Sequence, residues 1–197
     1  MTMMTHGLAL TLALAAGAAP GHRASAPRAI AQDSVARGDS TGKHKHGGRN
    51  AGDGHKWISY DANSHTVTFK LVAGSRRAKT RYNFNGYTDG TATLVIPPKT
   101  AVVFNFVNAD SLPHSAAVIA DGGPIPAMIE RPAIAEAATK SLIAGLPRHA
   151  TEVVRFTAPA NGSFRIVSGV AGDGRSGMWI RLRVDPAAKA PSWLKHT

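Results

Sequence analysis

Apolar and polar residues alternate along much of the chain from Trp57 onward. In residues 65–72 (HTVTFKLV) the alternation puts Val67, Phe69 and Leu71 on one face and Thr66, Thr68 and Lys70 on the other, the period-two signature of a half-buried strand. Further strands are predicted over residues 80–85, 91–96, 101–108, 114–120, 151–157, 163–168 and 178–184. Between them stand Asn85-Gly86, Asp89-Gly90, Pro97-Pro98 and Asn161-Gly162, dipeptides that accept the tight dihedral angles of turns. Short strands repeated at this spacing predict an all-β domain, a sandwich or a barrel. One interval differs. Residues 134–144 (IAEAATKSLIA), between Pro132 and Gly145, are rich in helix formers and predict a short helix inserted in a loop at one end of the domain.

Two stretches before Trp57 lack the alternation. Residues 7–19 (GLALTLALAAGAA) form an apolar run too short for a membrane span and of the length of a signal-peptide core, although the preceding MTMMTH carries no Lys or Arg. Small-x-small cleavage sites lie at Ala16-Gly17-Ala18, Ala24-Ser25-Ala26 and Ala29-Ile30-Ala31, and the last leaves Gln32-Asp33 as an ordinary mature start. Residues 1–31 are therefore expected to be a signal peptide. The product is expected to be exported (periplasmic, cell-surface or secreted), with no transmembrane span in the mature chain. Residues 32–56 are mostly Gly, Ser, Asp, Arg, Lys and His, with little to bury, and predict a flexible linker. His44, His46 and His55 lie in it, and a His-Lys-His pair near another histidine captures divalent transition metals adventitiously. This leaves one domain over residues 57–185 and a tail over 186–197, whose Trp193 is expected to fold back onto the domain.

Composition narrows the function classes. Lys and Arg number 23 against 12 acidic residues, a formal charge of +11, which draws the protein toward an anionic surface or an acidic protein. Neither a nucleic-acid reading motif nor basic residues interleaved with aromatics on one face is evident, so no specific nucleic-acid partner is expected. The absence of cysteine excludes disulfides, iron–sulfur ligation, zinc ribbons and a Cys nucleophile together.

Two segments are chemically distinctive: Leu112-Pro113-His114-Ser115 at the opening of a strand, and VSGVAGDGRSGMW, residues 167–179, which reads as a loop joining two strands. The run YNFNGYTDGTATLVIPPKTAVVFNFVNADSLPHSAAVI, residues 82–119, strongly resembles the sulfocyanin family, and so does SGMW, residues 176–179. With the spacing of Ser168, Asp173 and Met178, the resemblance covers most of residues 57–184 apart from the helical insertion. It implies a Greek-key cupredoxin-like β-sandwich. It also implies a blue-copper ligand set in which His114 falls on the first His and Met178 on the axial Met. The other two positions depart from the pattern. Ser168 stands where the family has Cys, and Asp173 where it has the second His.

Those exchanges matter to a metal. A thiolate is the soft anionic donor that suits Cu(I), whereas a serine hydroxyl stays protonated near neutral pH and a carboxylate favours harder ions. The resemblance therefore implies a degenerate site with no resident cofactor, holding copper weakly if at all. Two readings stand open: a binding or structural module without type 1 copper electron transfer, or a copper-binding electron-transfer or copper-handling protein with an altered site, assisted by His44, His46 or His149. The residues also have local readings. His114 hydrogen-bonds a neighbouring loop, Met178 fills the core, Asp173 between two glycines is an exposed turn residue, or Ser168 and Asp173 hydrogen-bond one another or His114 in a polar network. No catalytic residue is assigned. Ser168, Asp173 and His114 are the residue types of a hydrolytic triad, but the sequence has neither a nucleophile elbow nor an identifiable oxyanion hole.

Overall fold

The computed structural model describes residues 56–196. The expected signal peptide and linker, with His44, His46 and His55, lie outside the described residues. Nine strands follow in chain order: β1 (Ile58–Asp61), β2 (Thr66–Ala73), β3 (Ala92–Ile96), β4 (Ala101–Asn108), β5 (Ala117–Ala120), β6 (Thr151–Thr157), β7 (Gly162–Val167), β8 (Trp179–Val184) and β9 (Ser192–Lys195). They form two sheets, a four-stranded one in the order β1-β2-β4-β6 and a five-stranded one in the order β5-β7-β8-β3-β9. From β2 to β7 the chain passes to the other sheet at every connection. This is why β2 lies parallel to β4, and β3 to β8, while the other pairs are antiparallel.

The alternation read in the sequence sets the register. Val67, Phe69, Leu71 and Ala73 of β2 point inward beside Val102, Phe104 and Phe106 of β4, all essentially inaccessible. Ile180, Leu182 and Val184 of β8 meet them from the other sheet, with Trp179, Arg181 and Arg183 on the outer face. Edge-to-face rings tie the layers: Phe104 stands 5.1 Å from Phe156 and 5.8 Å from Phe69.

β1 and β9 were not among the predicted strands. Residues 192–195 of the tail pair with β3, and Trp193 is buried 5.5 Å from Phe69 and within reach of Trp57 and Tyr87. Two expectations are corrected. Residues 80–85 form bends and a turn with an isolated bridge from Phe84 to Ala73, rather than a strand, because the buried Asn83 side chain closes the loop on itself: it accepts from the Ser75 and Gly86 amides and donates to the Ser75 and Thr80 carbonyls. The helix expected over residues 134–144 does not form either. Glu136 adopts φ of 62°, a left-handed conformation that interrupts a right-handed helix. The segment's backbone bonds instead run to the neighbouring strand: the Val118 amide donates to Ala137 and the Thr139 amide to Ala116. Helix formers yield here to backbone pairing and to the burial of Ala137.

Candidate metal centre

The strand directions bring several loops to one end of the sandwich. β4 ends at Asn108 and β7 at Val167, β5 begins at Ala117 and β8 at Trp179, so residues 109–116 and 168–178 meet there. The Asn108 side chain fixes the first loop by donating to the Leu112 and Leu146 carbonyls at 2.7 and 2.8 Å. His114 then exchanges backbone bonds with Leu146. Gly145 makes this approach possible, for it sits at φ of 73° and a β-carbon on it would lie 2.9 Å from the His114 nitrogen.

His114 is completely buried, and each of its ring nitrogens faces a carboxylate. Nδ1 lies 2.8 Å from Asp173 Oδ2 and Nε2 3.1 Å from Asp110 Oδ2. Ser168 donates its hydroxyl to the same Asp173 oxygen at 2.7 Å and accepts from the Ser115 amide at 3.3 Å. Ser115 extends the network, accepting from the Gly169 amide at 2.9 Å and donating to the Leu142 carbonyl at 2.6 Å. Asp110 is oriented by the Ser111 amide at 2.7 Å and has Arg81 Nε at 3.7 Å, while Tyr82 packs edge-on against the imidazole at 6.3 Å. Met178 lies in the apolar core, its backbone bonded to Asp173 and Ser168 on either side of the loop.

The electrostatics follow from this geometry. Burial is the largest influence on His114 and disfavours its charged form. The hydrogen bonds to Asp173 and Asp110, with their negative charges, together outweigh burial and hold the imidazole above its ordinary value of 6.5. Asp110 is pushed upward by burial as well. The His114 hydrogen bond, the Ser111 amide and the charges of Arg81 and His114 nonetheless hold its carboxyl below the ordinary range. An imidazolium donating to two carboxylates satisfies every partner in the cluster.

The structure thus brings together His114, Ser168 and Asp173, and places Met178 beside them in the chain path. Asp173 is buried at 6% exposure, not an exposed turn residue. His149 is exposed in another loop at φ of 65°. Sequence reasoning missed Asp110. Its only sequence signal is an acidic residue four positions before His114, in a segment whose Asn, Asp and Ser otherwise read as a turn.

A type 1 copper ion does not fit this donor set. Both ring nitrogens of His114 are engaged, the Asp173 oxygen already serves two partners, and no thiolate is available. Among the described residues, no group of three His, Cys, Asp or Glu side chains is arranged to hold a metal ion.

Comparison with known proteins gives the context. The fold is similar to that of dithionite-reduced auracyanin from Roseiflexus castenholzii, with 19% identity and a TM-score of 0.44 over 60% of this chain and 97% of that one. It is also similar to rusticyanin from Thiobacillus ferrooxidans, with 21% identity and a TM-score of 0.45 over 66% of this chain and 88% of that one. Sulfocyanin from Sulfolobus acidocaldarius is 27% identical over 142 residues, 67% of this chain and 70% of the relative. The Sulfocyanin (SoxE) domain family matches residues 53–194, which takes in all nine strands up to Leu194. The chain belongs to the sulfocyanin family.

Proposed function

We propose that this protein keeps the sulfocyanin sandwich and its ligand-bearing end but works as a binding or structural module, without type 1 copper electron transfer. The observation that carries this reading is the closed chain Ser168–Asp173–His114–Asp110, in which the groups at the ligand positions satisfy one another. Binding a metal through His114 would break at least one of two charged hydrogen bonds, one buried and one part-buried, and the remaining donors are hard oxygens and a thioether. The network instead ties the loop over residues 168–178 to the loop over residues 109–116.

The role fits an exported protein, on the support of the apolar run over residues 7–19. Its partner is an acidic protein or an anionic surface. The loops at the His114 end carry exposed Arg76, Lys79, Arg81, Arg148 and Arg175, with exposed Asp89 and Glu130 as counter-charges. The opposite loops hold Asp61, Asp121 and Asp185 against Lys99 and Lys189, with Asp121 paired to Arg165 and Arg181 and Asp185 to Arg183.

The test is copper stoichiometry and electron paramagnetic resonance on Cu(II)-loaded protein with the linker histidines deleted, beside a Ser168→Cys, Asp173→His double variant. Only the double variant is expected to turn blue and retain copper. Stoichiometric, tightly held copper in the natural sequence would overturn the proposal.

A further inference from the structure

The outer face of the five-stranded sheet breaks a rule of sheet design. Arg165 of β7 and Arg181 of β8 are directly opposite in register, and Arg183 follows two positions along the same face. Like charges directly opposite one another destabilise a strand pair, and such violations mark places where function has overridden local preference.

The arginines are held rigidly. Trp179 lies between two of them, with the Arg165 guanidinium 5.0 Å and the Arg181 guanidinium 5.3 Å from its ring. Asp121 accepts from Arg165 Nε with one oxygen and faces Arg181 Nη1 at 3.5 Å with the other. Arg165 also donates to the Gly123 carbonyl and Arg181 to the Gly90 carbonyl. Arg183 is paired through a single Nη to Asp185 at 2.8 Å. These contacts use most of Arg165, whose side chain is 12% exposed, but leave Arg181 and Arg183 at 43% and 51%.

Beside them is a concavity of about 190 Å³, lined by Thr93, Ser163, Arg181, Arg183, His196 and the already engaged Asp121. The exposed Ser163 sits opposite Arg183, and Thr93 opposite Arg181. His196 Nε2 meets the Thr93 hydroxyl at 2.7 Å. Phe164, Leu182 and Leu194 complete the lining, and the buried Thr93 hydroxyl is taken up by His196, so the donors that face the hollow are the remaining guanidinium N–H groups of Arg181 and Arg183 and the Ser163 hydroxyl, against one carboxylate; planar guanidinium forks match tetrahedral oxyanions. The geometry points to a binding site for phosphate or sulfate, free or carried on a larger molecule, on this face between β7, β8, β3 and β9. It lies apart from the His114 cluster.

The test is a nuclear magnetic resonance titration of the full domain with inorganic phosphate and, separately, sulfate, at ionic strength held constant with chloride. Saturable shifts centred on Ser163, Arg183 and His196 are expected. An Arg181→Gln, Arg183→Gln variant should weaken binding at least about tenfold, while Lys70→Gln, Arg155→Gln, which removes equal charge from the exposed face of the other sheet, should leave it intact. Arg183→Gln alone serves the same purpose if the double variant loses its native spectrum. Phosphatidic acid vesicles, compared with phosphatidylcholine vesicles, separate the sources: vesicle binding that is lost in the same variant assigns a lipid headgroup, and saturation by the inorganic ion alone assigns the free anion. Non-saturating shifts spread over all basic loops, or equal weakening by both double variants, would overturn the site.

Discussion

Two groups of charged side chains in this molecule meet opposite solvent conditions. At the loop end, His114 and Asp173 are shut away from water, with Asp110 at the partly exposed rim, and each charge depends on its neighbour for compensation. On the outer sheet face, Arg183 and Asp185 form a comparable contact at 2.8 Å with the arginine half in solvent. Equal distances therefore carry unequal energies. Removing one partner of a buried pair strands an uncompensated charge, whereas a solvated pair is replaced by water at little loss.

The contrast is broken most severely at Asp173. Asp173→Ala should lower unfolding free energy by about 3 kcal/mol in urea denaturation, since it leaves a buried imidazole and hydroxyl without their shared acceptor. Replacing the whole cluster by apolar residues (Asp110→Leu, His114→Phe, Asp173→Leu) should lower it less than that single change, because no charge is then left unpaired. A larger loss in the triple variant would mean that the charges stabilise the fold beyond compensating one another.

Varying pH tests the same cluster without mutation. The folded His114 titrates above its ordinary value, so its contribution is complete below about pH 6.5 and is lost as pH rises through the folded value. Asp110 behaves in the opposite sense: its contribution is present above its ordinary 3.8 and is lost as pH falls through its lowered value. The urea midpoint should therefore fall on the alkaline side in the natural protein, and a His114→Gln variant should lose that fall.

Ser168→Ala is expected to cost about 1–2 kcal/mol, removing a donor to Asp173 and an acceptor for the Ser115 amide, as read by thermal unfolding. Arg183→Ala should change stability by less than about 0.5 kcal/mol by the same measurement, and a larger effect would erase the difference between the two regions.

Legibility in the sequence followed the range of the interaction. The inward face of β2 could be read because alternation is local, and the family resemblance singled out Ser168 and Asp173 as substituted positions. Asp110 could not be found that way, because it is defined by a side chain crossing back onto His114 within an ordinary turn. The segment over residues 134–144 misled because its residues favour helix, while the hydrogen bonds that decide its conformation come from residues 116–118. β9 escaped because its four residues become a strand only through β3, whose partner positions lie about one hundred residues earlier.

That last pairing bears on how the protein is made. During synthesis β3 emerges long before β9, so one edge of β3 and the ring cluster of Trp57, Phe69 and Tyr87 stay uncovered until residue 195 has been added. Until then the nascent chain presents an open strand edge beside exposed aromatic rings, the combination that favours association with other chains. Trp193 acts as the closing piece of the fold, and a chain stalled before it should associate with other chains more readily than one that includes it.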